Sequence, residues 1–599
     1  MLSIILDFLS SPLYLASSAA VCFLSYYWIV TPDLFENFTL PTKTITIEIP
    51  KECKADWTED SFIDTPSIID KTDPSVIICY DPATARILGK KRSASKEQVN
   101  QAIIAAKKAQ EQWSKTTFAQ RRQVLRTICE FVLKNQQDIC KVSCRDSGKT
   151  MVDAALGEIL TTVAKLRWTI ENGERVLKPS RRSSGLLMMY KLAMVLYQPR
   201  GVVGAIVSWN YPFHNTIGPV ISAIFAGNGI VVKTSEMVAF TSDYFLQIVR
   251  SALEAHGHSA DLVQYVTGFA DVGKALVESP LVSHITFIGS APVGKKIMQA
   301  ASTNLTPVTL ELGGKDAAIV LDDADMSQCY PVIMRGVFQN AGQNCIGIER
   351  VLVHTNIYDA FVKEMATRIS KLRLGSSLEQ GENVDMGAMA MGHNFGYLQS
   401  LIQDAVSKGA RLIAGGKPYL HPLYPKAQYF MPTLLVDVTP DMDIVHNEVF
   451  GPIMTVMKFN SHVDAIRVAN ASPFALGSSV FTSNVKAGRK IAMALKCGMV
   501  NNNDFGVNYL CQSLPFGGVG ISGFGRFAGE EGLRAMCNEK SYTEDMFSAV
   551  KTKIPPVVDY PIKNASIAFD FASSINIFAF GTNLIDRFKA VTTLAKNAQ

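Results

Sequence analysis

The stretch GVVGAIVSWNYPFHN, residues 201–215, changes character halfway along. Val202 to Val207 is a short run rich in β-branched residues, which suits a buried strand, and Trp209, Asn210, Tyr211 and Pro212 then break it as a turn. GNGIVVKTSE (227–236) repeats the change and ends on Lys233 and Glu236. HITFIGSAPVGKKI (284–297) passes from strand to Gly289 and Ser290, then to a helix with Gly294 in its first turn. From residue 199 to 330, β-rich and helical runs alternate. That alternation specifies the α/β class, a parallel sheet with helices on its faces.

In open sheets of this kind ligands collect beyond the strand ends, so Lys233 and Glu236 are candidates to reach a ribose. Backbone N–H groups after Gly289 and Ser290 suit a pyrophosphate. Neither reading is specific alone, because Lys233 and Glu236 equally make a solvated surface pair and a glycine turn is often only a turn. The next strand, TPVTLELGGKDAAIVLDDAD (306–325), places Glu311 just before Gly313 and Gly314. A glutamate beside a flexible turn suits a base needed at one step, although a surface carboxylate fits the same letters. FQNAGQNCIGIER (338–350) then sets Cys345 among glycines and carboxamides, where a free cysteine would ordinarily be a small buried hydrophobe. Glutamate plus cysteine is the pair that thiol catalysis with water activation requires.

The 599 residues exceed one core and imply two or more domains. A composition 48% hydrophobic and 19% charged excludes wholesale disorder, and a net charge of +5 without a basic block gives no sign of a nucleic-acid partner. The eleven cysteines are scattered, with no second pair at zinc-ligand spacing, so no metal site is expected. Residues 96–144 carry amphipathic helical spacing, as in Val99, Ile103, Ala106 and Trp113. SCRDSGKT imitates a phosphate loop but has Ser143 where the first glycine belongs. Residues 8–30 hold no charge, and LYLASSAAVCFLSYYWIV (13–30) is long enough as a helix to span a bilayer core, which predicts an N-terminal transmembrane anchor. At the other end, NLIDRFKAVTTLAK places Leu584, Ile585, Phe588, Val591 and Leu594 on one helical face, suited to a membrane surface or to a protein contact.

WNYPF (209–213), ELGGK (311–315), GQNC (342–345), NEVFGP (447–452) and PFGGVGISGFGR (515–526), in this order along roughly residues 75–545, resemble the aldehyde dehydrogenase superfamily. With both hydrophobic extensions the chain looks most like a membrane-anchored fungal member. The resemblance implies a Rossmann-type cofactor domain (76–180 and 199–310), an α/β catalytic domain (311–524) and a bridging β-hairpin arm for oligomerisation (181–198 and 525–545). Residues 1–40 form the anchor, 41–75 a connector and 546–599 a hydrophobic extension. It implies a homodimer or homotetramer. The family roles fall on Cys345 as nucleophile, Glu311 as the base for hydrolytic water, and Asn210 with the Cys345 backbone N–H as the oxyanion hole. Cofactor contacts fall on Ser208, Trp209, Lys233, Glu236, Gly289, Ser290, Glu448 and Phe450. A carboxylate at Glu236 favours NAD over the 2′-phosphate of NADP.

Departures from the family pattern are Thr234 for the usual proline, Asn447, and Ile346 and Ile348 beside the cysteine, two isoleucines expected to narrow an apolar substrate tunnel. The function implied is NAD-dependent oxidation of a hydrophobic aldehyde to the acid, at the endoplasmic reticulum or another endomembrane. Two other functions share the fold: a catalytically degenerate membrane scaffold and a dehydrogenase that passes its acyl group to coenzyme A.

Overall fold

The computed structural model describes residues 42–597 apart from 55, 60, 66, 380, 382 and 548–551. The transmembrane helix expected over 8–30 lies outside these residues. Among the described residues no helix is long and apolar enough to cross a membrane. The chain divides into two compact units, one running to Val176 and resuming over Pro199–Met536, the other made of Leu177–Gln198 with the residues from Cys537 onward.

The first unit contains two sheets. One has six strands in the order Gly523–Phe524, Val308–Glu311, Val282–Ile288, Val202–Ile206, Gly229–Thr234 and Val263–Thr267. The five from Val202 to Glu311 are mutually parallel, and Gly523–Phe524 is antiparallel to Val308–Glu311. Chain order reverses between Val202–Ile206 and Val282–Ile288, the switch point where an open sheet leaves a crevice beyond its carboxyl ends. Strands Val202–Ile206 and Gly229–Thr234 are buried along their full length, so their runs are continuously apolar rather than alternating.

Helix Lys96–Trp113 starts from a capping box between Ser95 and Gln98 and buries Val99, Ile103 and Ala106 against this sheet. The helix comes so close that a Cβ at Gly229 would stand 2.7 Å from the Ala106 carbonyl oxygen. Trp113 Nε1 donates to the Ile224 carbonyl at 2.8 Å, which satisfies its one polar atom in the core. The residues that imitated a phosphate loop do something else. Gly148 ends helix Gln136–Ser147 in the left-handed conformation, and Lys149 is buried in an ion pair with Glu158 at 2.7 Å.

The second sheet has seven strands in the order Arg411–Ala414, Thr433–Val436, Ile453–Phe459, Ile348–His354, Asp316–Val320, Gly477–Phe481 and Met499–Asn502. All neighbours are parallel except the edge pair Arg411–Ala414 with Thr433–Val436. Ile348 opens its strand inside this core, 3% exposed, with its Cδ1 filling the space a Cβ at Gly336 would take. The expectation that it narrows a substrate tunnel is therefore corrected: strand pairing with Asp316 turns Ile348 into the core, and only Ile346 stays beside the thiol.

In the second unit a three-stranded sheet orders Cys537–Asp545, Lys191–Pro199 and Ser180–Arg182. Residues 525–536 belong to the first unit, where helix Gly529–Arg534 buries Gly532 and Leu533. Helices Ala565–Phe580 and Leu584–Asn597 follow; Asn564 caps the former by accepting from the backbone N–H groups of Ser566 and Ile567.

Candidate active site

Beyond the carboxyl ends of the six-stranded sheet lies a cleft of about 1080 Å³. Its wall includes all of the residues singled out from sequence: Ser208, Trp209, Asn210, Lys233, Glu236, Gly289, Ser290, Glu311, Cys345, Glu448 and Phe450. At one end Lys233, the last but one residue of its strand, donates to Glu236 at 2.7 Å. Next along the sheet, helix Ala291–Ala301 begins at an exposed Ser290 that makes no side-chain cap, so the first N–H groups of the helix face the cleft without an intrachain carboxylate or hydroxyl upon them. Gly294 sits where a Cβ would reach within 2.4 Å of Leu312, which lets the helix start lie against the sheet. Trp209 and Phe450 meet edge to face, their centroids 5.5 Å apart.

Cys345 follows a segment with an unusual backbone. Asn340, Ala341 and Gly342 are all left-handed, at φ 54°, 54° and 73°. Asparagine tolerates that region and glycine is free in it. Gly342 is required for a second reason, since a Cβ there would stand 2.1 Å from the Gly451 carbonyl oxygen. The carboxamides hold the loop. Asn340 Nδ2 donates to the carbonyls of Asn210 and Gln343, Gln343 Nε2 donates back to the Asn340 carbonyl, and Gln343 Oε1 accepts from the Ala390 N–H. Asp153 Oδ2 accepts from the Asn340 N–H, and Lys149 donates to the Asn210 carbonyl at 2.7 Å. The amide-rich setting thus fixes the thiol and Asn210 in one frame.

Within that frame Glu311 and the Cys345 thiol lie close enough for each group to shift the other's titration. Glu311 ends strand Val308–Glu311 with 3% of its surface exposed, and its Oε1 is buried without a protein partner. Burial pushes its carboxyl up to about 7, against the lowering effect of the thiol contact. Burial and then the Glu311 charge hold the thiol well above its usual range. The two groups compete for one proton, so a thiolate forms when Glu311 accepts it. Asn210 Nδ2 points at the Gln343 carbonyl at 3.2 Å, two residues before the sulfur, while its Oδ1 accepts from Ser208 Oγ and Asn215 Nδ2. Those acceptor contacts fix the flip so that the NH₂ faces the thiol loop.

Glu448 lies over the Gly313–Gly314 turn, accepting from the Gly314 N–H at 3.1 Å. Burial, then the neighbouring Glu349 and then Glu311, holds its carboxyl well above the ordinary range. Glu349 was not singled out from sequence, yet it supports the wall: it accepts from the N–H groups of Val449 and Phe450 and from Lys315 at 2.6 Å. The letters carried no sign of this, because the partners lie a hundred residues apart. For Asn340 and Gln343 a signal did exist, in the left-handed tendency of an asparagine followed by Ala-Gly.

The aldehyde dehydrogenase family profile matches residues 68–542. An aldehyde dehydrogenase-like protein of Saccharomyces cerevisiae is 45% identical over 581 residues, 95% of this chain and 90% of the relative. One of Schizosaccharomyces pombe is 47% identical over 507 residues, 85% of this chain and 97% of the relative. Among solved structures, the NAD⁺ complex of a Bacillus cereus aldehyde dehydrogenase superposes with a TM-score of 0.73 at 30% identity, covering 79% of this chain and 94% of its own. The cleft at the sheet's switch point, the Cys345–Glu311 pair on its wall and these matches across most of the length lead to one assignment: the chain belongs to the aldehyde dehydrogenase family.

Proposed function

We propose that this chain oxidises an aldehyde to the carboxylic acid, with NAD as the hydride acceptor and an acyl thioester on Cys345 between the two half-reactions. The observation that carries the reading is Cys345 and Glu311 together on the wall of one cleft, each shifting the other's titration, with the Asn210 amide turned to the Gln343 carbonyl of the same loop.

Glu311 takes the thiol proton as the sulfur adds to the aldehyde carbon. The oxygen that becomes anionic is met by Asn210 Nδ2 and the Cys345 N–H, donors held in place by the Asn340 and Gln343 amides before any charge develops. NAD, when bound, accepts the hydride released at that carbon. The cleft suits it: the uncapped start of helix Ala291–Ala301 offers N–H groups to phosphate, and Glu236 at the far end disfavours a 2′-phosphate by charge repulsion. Glu311 releases that proton to solvent and then acts a second time, deprotonating the water that cleaves the thioester. A carboxyl near 7 suits both duties, since it is basic enough to take a proton and acidic enough to give it up.

A hydrophobic aldehyde is supported by the thiol's other neighbours, Ile346, Tyr509, Phe516 and Phe527, which form one apolar cluster with Cys345. Purified chain incubated with NAD and a straight-chain series from ethanal to dodecanal tests the reading. NADH and acid in equal amounts are expected. No NADH with any member, nor with benzaldehyde or succinic semialdehyde, overturns it.

A further inference from the structure

A smaller chamber lies along the row of side chains next to Glu311. Thr309 precedes Glu311 by two residues on the same strand and so shares its face, and the paired strand contributes Thr286 and Ile288 opposite them. The chamber holds about 30 Å³, room for a water. Lys165, from helix Thr161–Leu177, lines it and is 7% exposed. Its Nζ donates to the Phe527 carbonyl at 2.7 Å, and no carboxylate among the described residues pairs with it. Thr286 Oγ1, also on the wall, is buried without a protein partner.

A buried ammonium facing only a carbonyl is destabilising, and an apolar residue would pack there at lower cost. Burial pushes Lys165 down to about 8, so the neutral amine is populated under mildly alkaline conditions. The other titratable and charged groups on the chamber cannot take its place. Burial, and secondly the Lys165 charge, push His214 down to about 3, and it is committed to the Tyr509 hydroxyl and to Thr162 Oγ1 at 2.9 Å. Burial, and then Cys345 and Glu311, hold the Tyr509 hydroxyl well above its usual range, so it keeps its proton. Arg526 is committed to the Gly518 and Gly525 carbonyls, to both of which it donates.

We propose that Lys165 is the proton acceptor behind Glu311, a positioning residue that acts through that glutamate during thioester hydrolysis. Glu311 breaks an O–H bond of the attacking water and holds the proton. The proton then passes along the threonine-lined chamber to the Lys165 amine, forming an N–H bond and restoring the Glu311 carboxylate, and the ammonium returns it to solvent before the next cycle. The inference rests on the aldehyde-oxidising reading above.

p-Nitrophenyl acetate provides the test, because it acetylates Cys345 with release of p-nitrophenolate and leaves a thioester that only water activation clears. Lys165→Met removes the amine, and Lys165→Gln keeps a donor to the Phe527 carbonyl without a group that titrates. Both are expected to keep the p-nitrophenolate burst, to lose at least about tenfold in the steady rate after it, and to lose the rise of that rate with pH near 8. A Lys165→Gln variant with the parental rate and pH profile overturns the assignment and leaves Lys165 as a prop for the Phe527 carbonyl. A parent that gives neither a burst nor NADH from octanal defeats the aldehyde-oxidising reading itself, which is a separate outcome.

Discussion

Glu311 is held in a state that favours chemistry over stability, and the sign can be worked out. Its carboxyl stands at about 7 in the folded protein against an ordinary value of 4.5, so between those limits the folded chain holds a proton that the unfolded chain has released. Stability from this group is present below 4.5 and lost as pH rises through 7. Glu311→Gln should therefore be more stable than the parent at pH 8, by up to about 3 kcal/mol in chemical denaturation, and by little at pH 4. In the same variant the NADH burst and steady turnover should both fall, because Glu311 is the base in both half-reactions, and the rise of parental turnover through pH 7 should vanish. A burst of parental size followed by slowed turnover would instead place Glu311 in thioester hydrolysis alone. Cys345→Ala should abolish turnover while NAD affinity stays within a few-fold, as equilibrium binding would report. At the other end of the cleft, Glu236→Gln removes the carboxylate beside the ribose position, so kcat/KM with NADP should rise relative to NAD. An unchanged ratio would mean that the Lys233–Glu236 pair serves only the turn it closes.

At the scale of elements, the segment Gln339–Gly342 matters as much as the residue it delivers. Gly342→Ala would force a Cβ toward the Gly451 carbonyl, at a φ of 73°, and the left-handed backbone alone costs about 1–2 kcal/mol. A lowered melting temperature with a steeper loss of turnover is expected; parental values in both would mean that the Phe450–Gly451 loop yields without moving the thiol. This segment also marks the limit of what could be read from letters. Strand-to-turn junctions at 206–212, 233–236 and 288–294 were legible because buried parallel strands read as continuous β-branched runs broken by polar turns. Cys345 and Glu311 were legible as motifs. Their support was not: Lys149 imitated a phosphate loop but pairs with Glu158 in the core, and Ile348, adjacent in sequence to the nucleophile's loop, turns into a different core. Gly523–Phe524 likewise joins the six-stranded sheet from more than two hundred residues away. Pairings of that range are set by tertiary packing, for which local periodicity carries no signal.

For the whole molecule, the open question is attachment to a membrane, and two separate features bear on it. Residues 8–30 are uncharged and end in Tyr26, Tyr27 and Trp28, the composition of a bilayer anchor. Helices Ala565–Phe580 and Leu584–Asn597 expose Phe569, Phe580, Leu584, Ile585 and Phe588, each more than 60% open, with Arg587 and Lys589 on the same segment. Exposed aromatic and aliphatic side chains beside cations suit an anionic lipid surface, while a second protein surface would use the same side chains without needing the lipid charge. The two features differ in strength, and extraction separates them. A spanning segment resists alkaline carbonate, whereas an interfacial helix is released by it. Deleting residues 1–40 should therefore move the protein from the carbonate-resistant pellet to the supernatant, with NADH formation per active site unchanged because every residue of the cleft is retained. The truncated chain should still bind vesicles containing phosphatidylserine at low salt, and Phe580→Asp with Leu584→Asp should abolish that binding. Truncated chain that still pellets after carbonate would remove the anchor from residues 8–30, and vesicle binding indifferent to both aspartates would remove the C-terminal helices from the membrane.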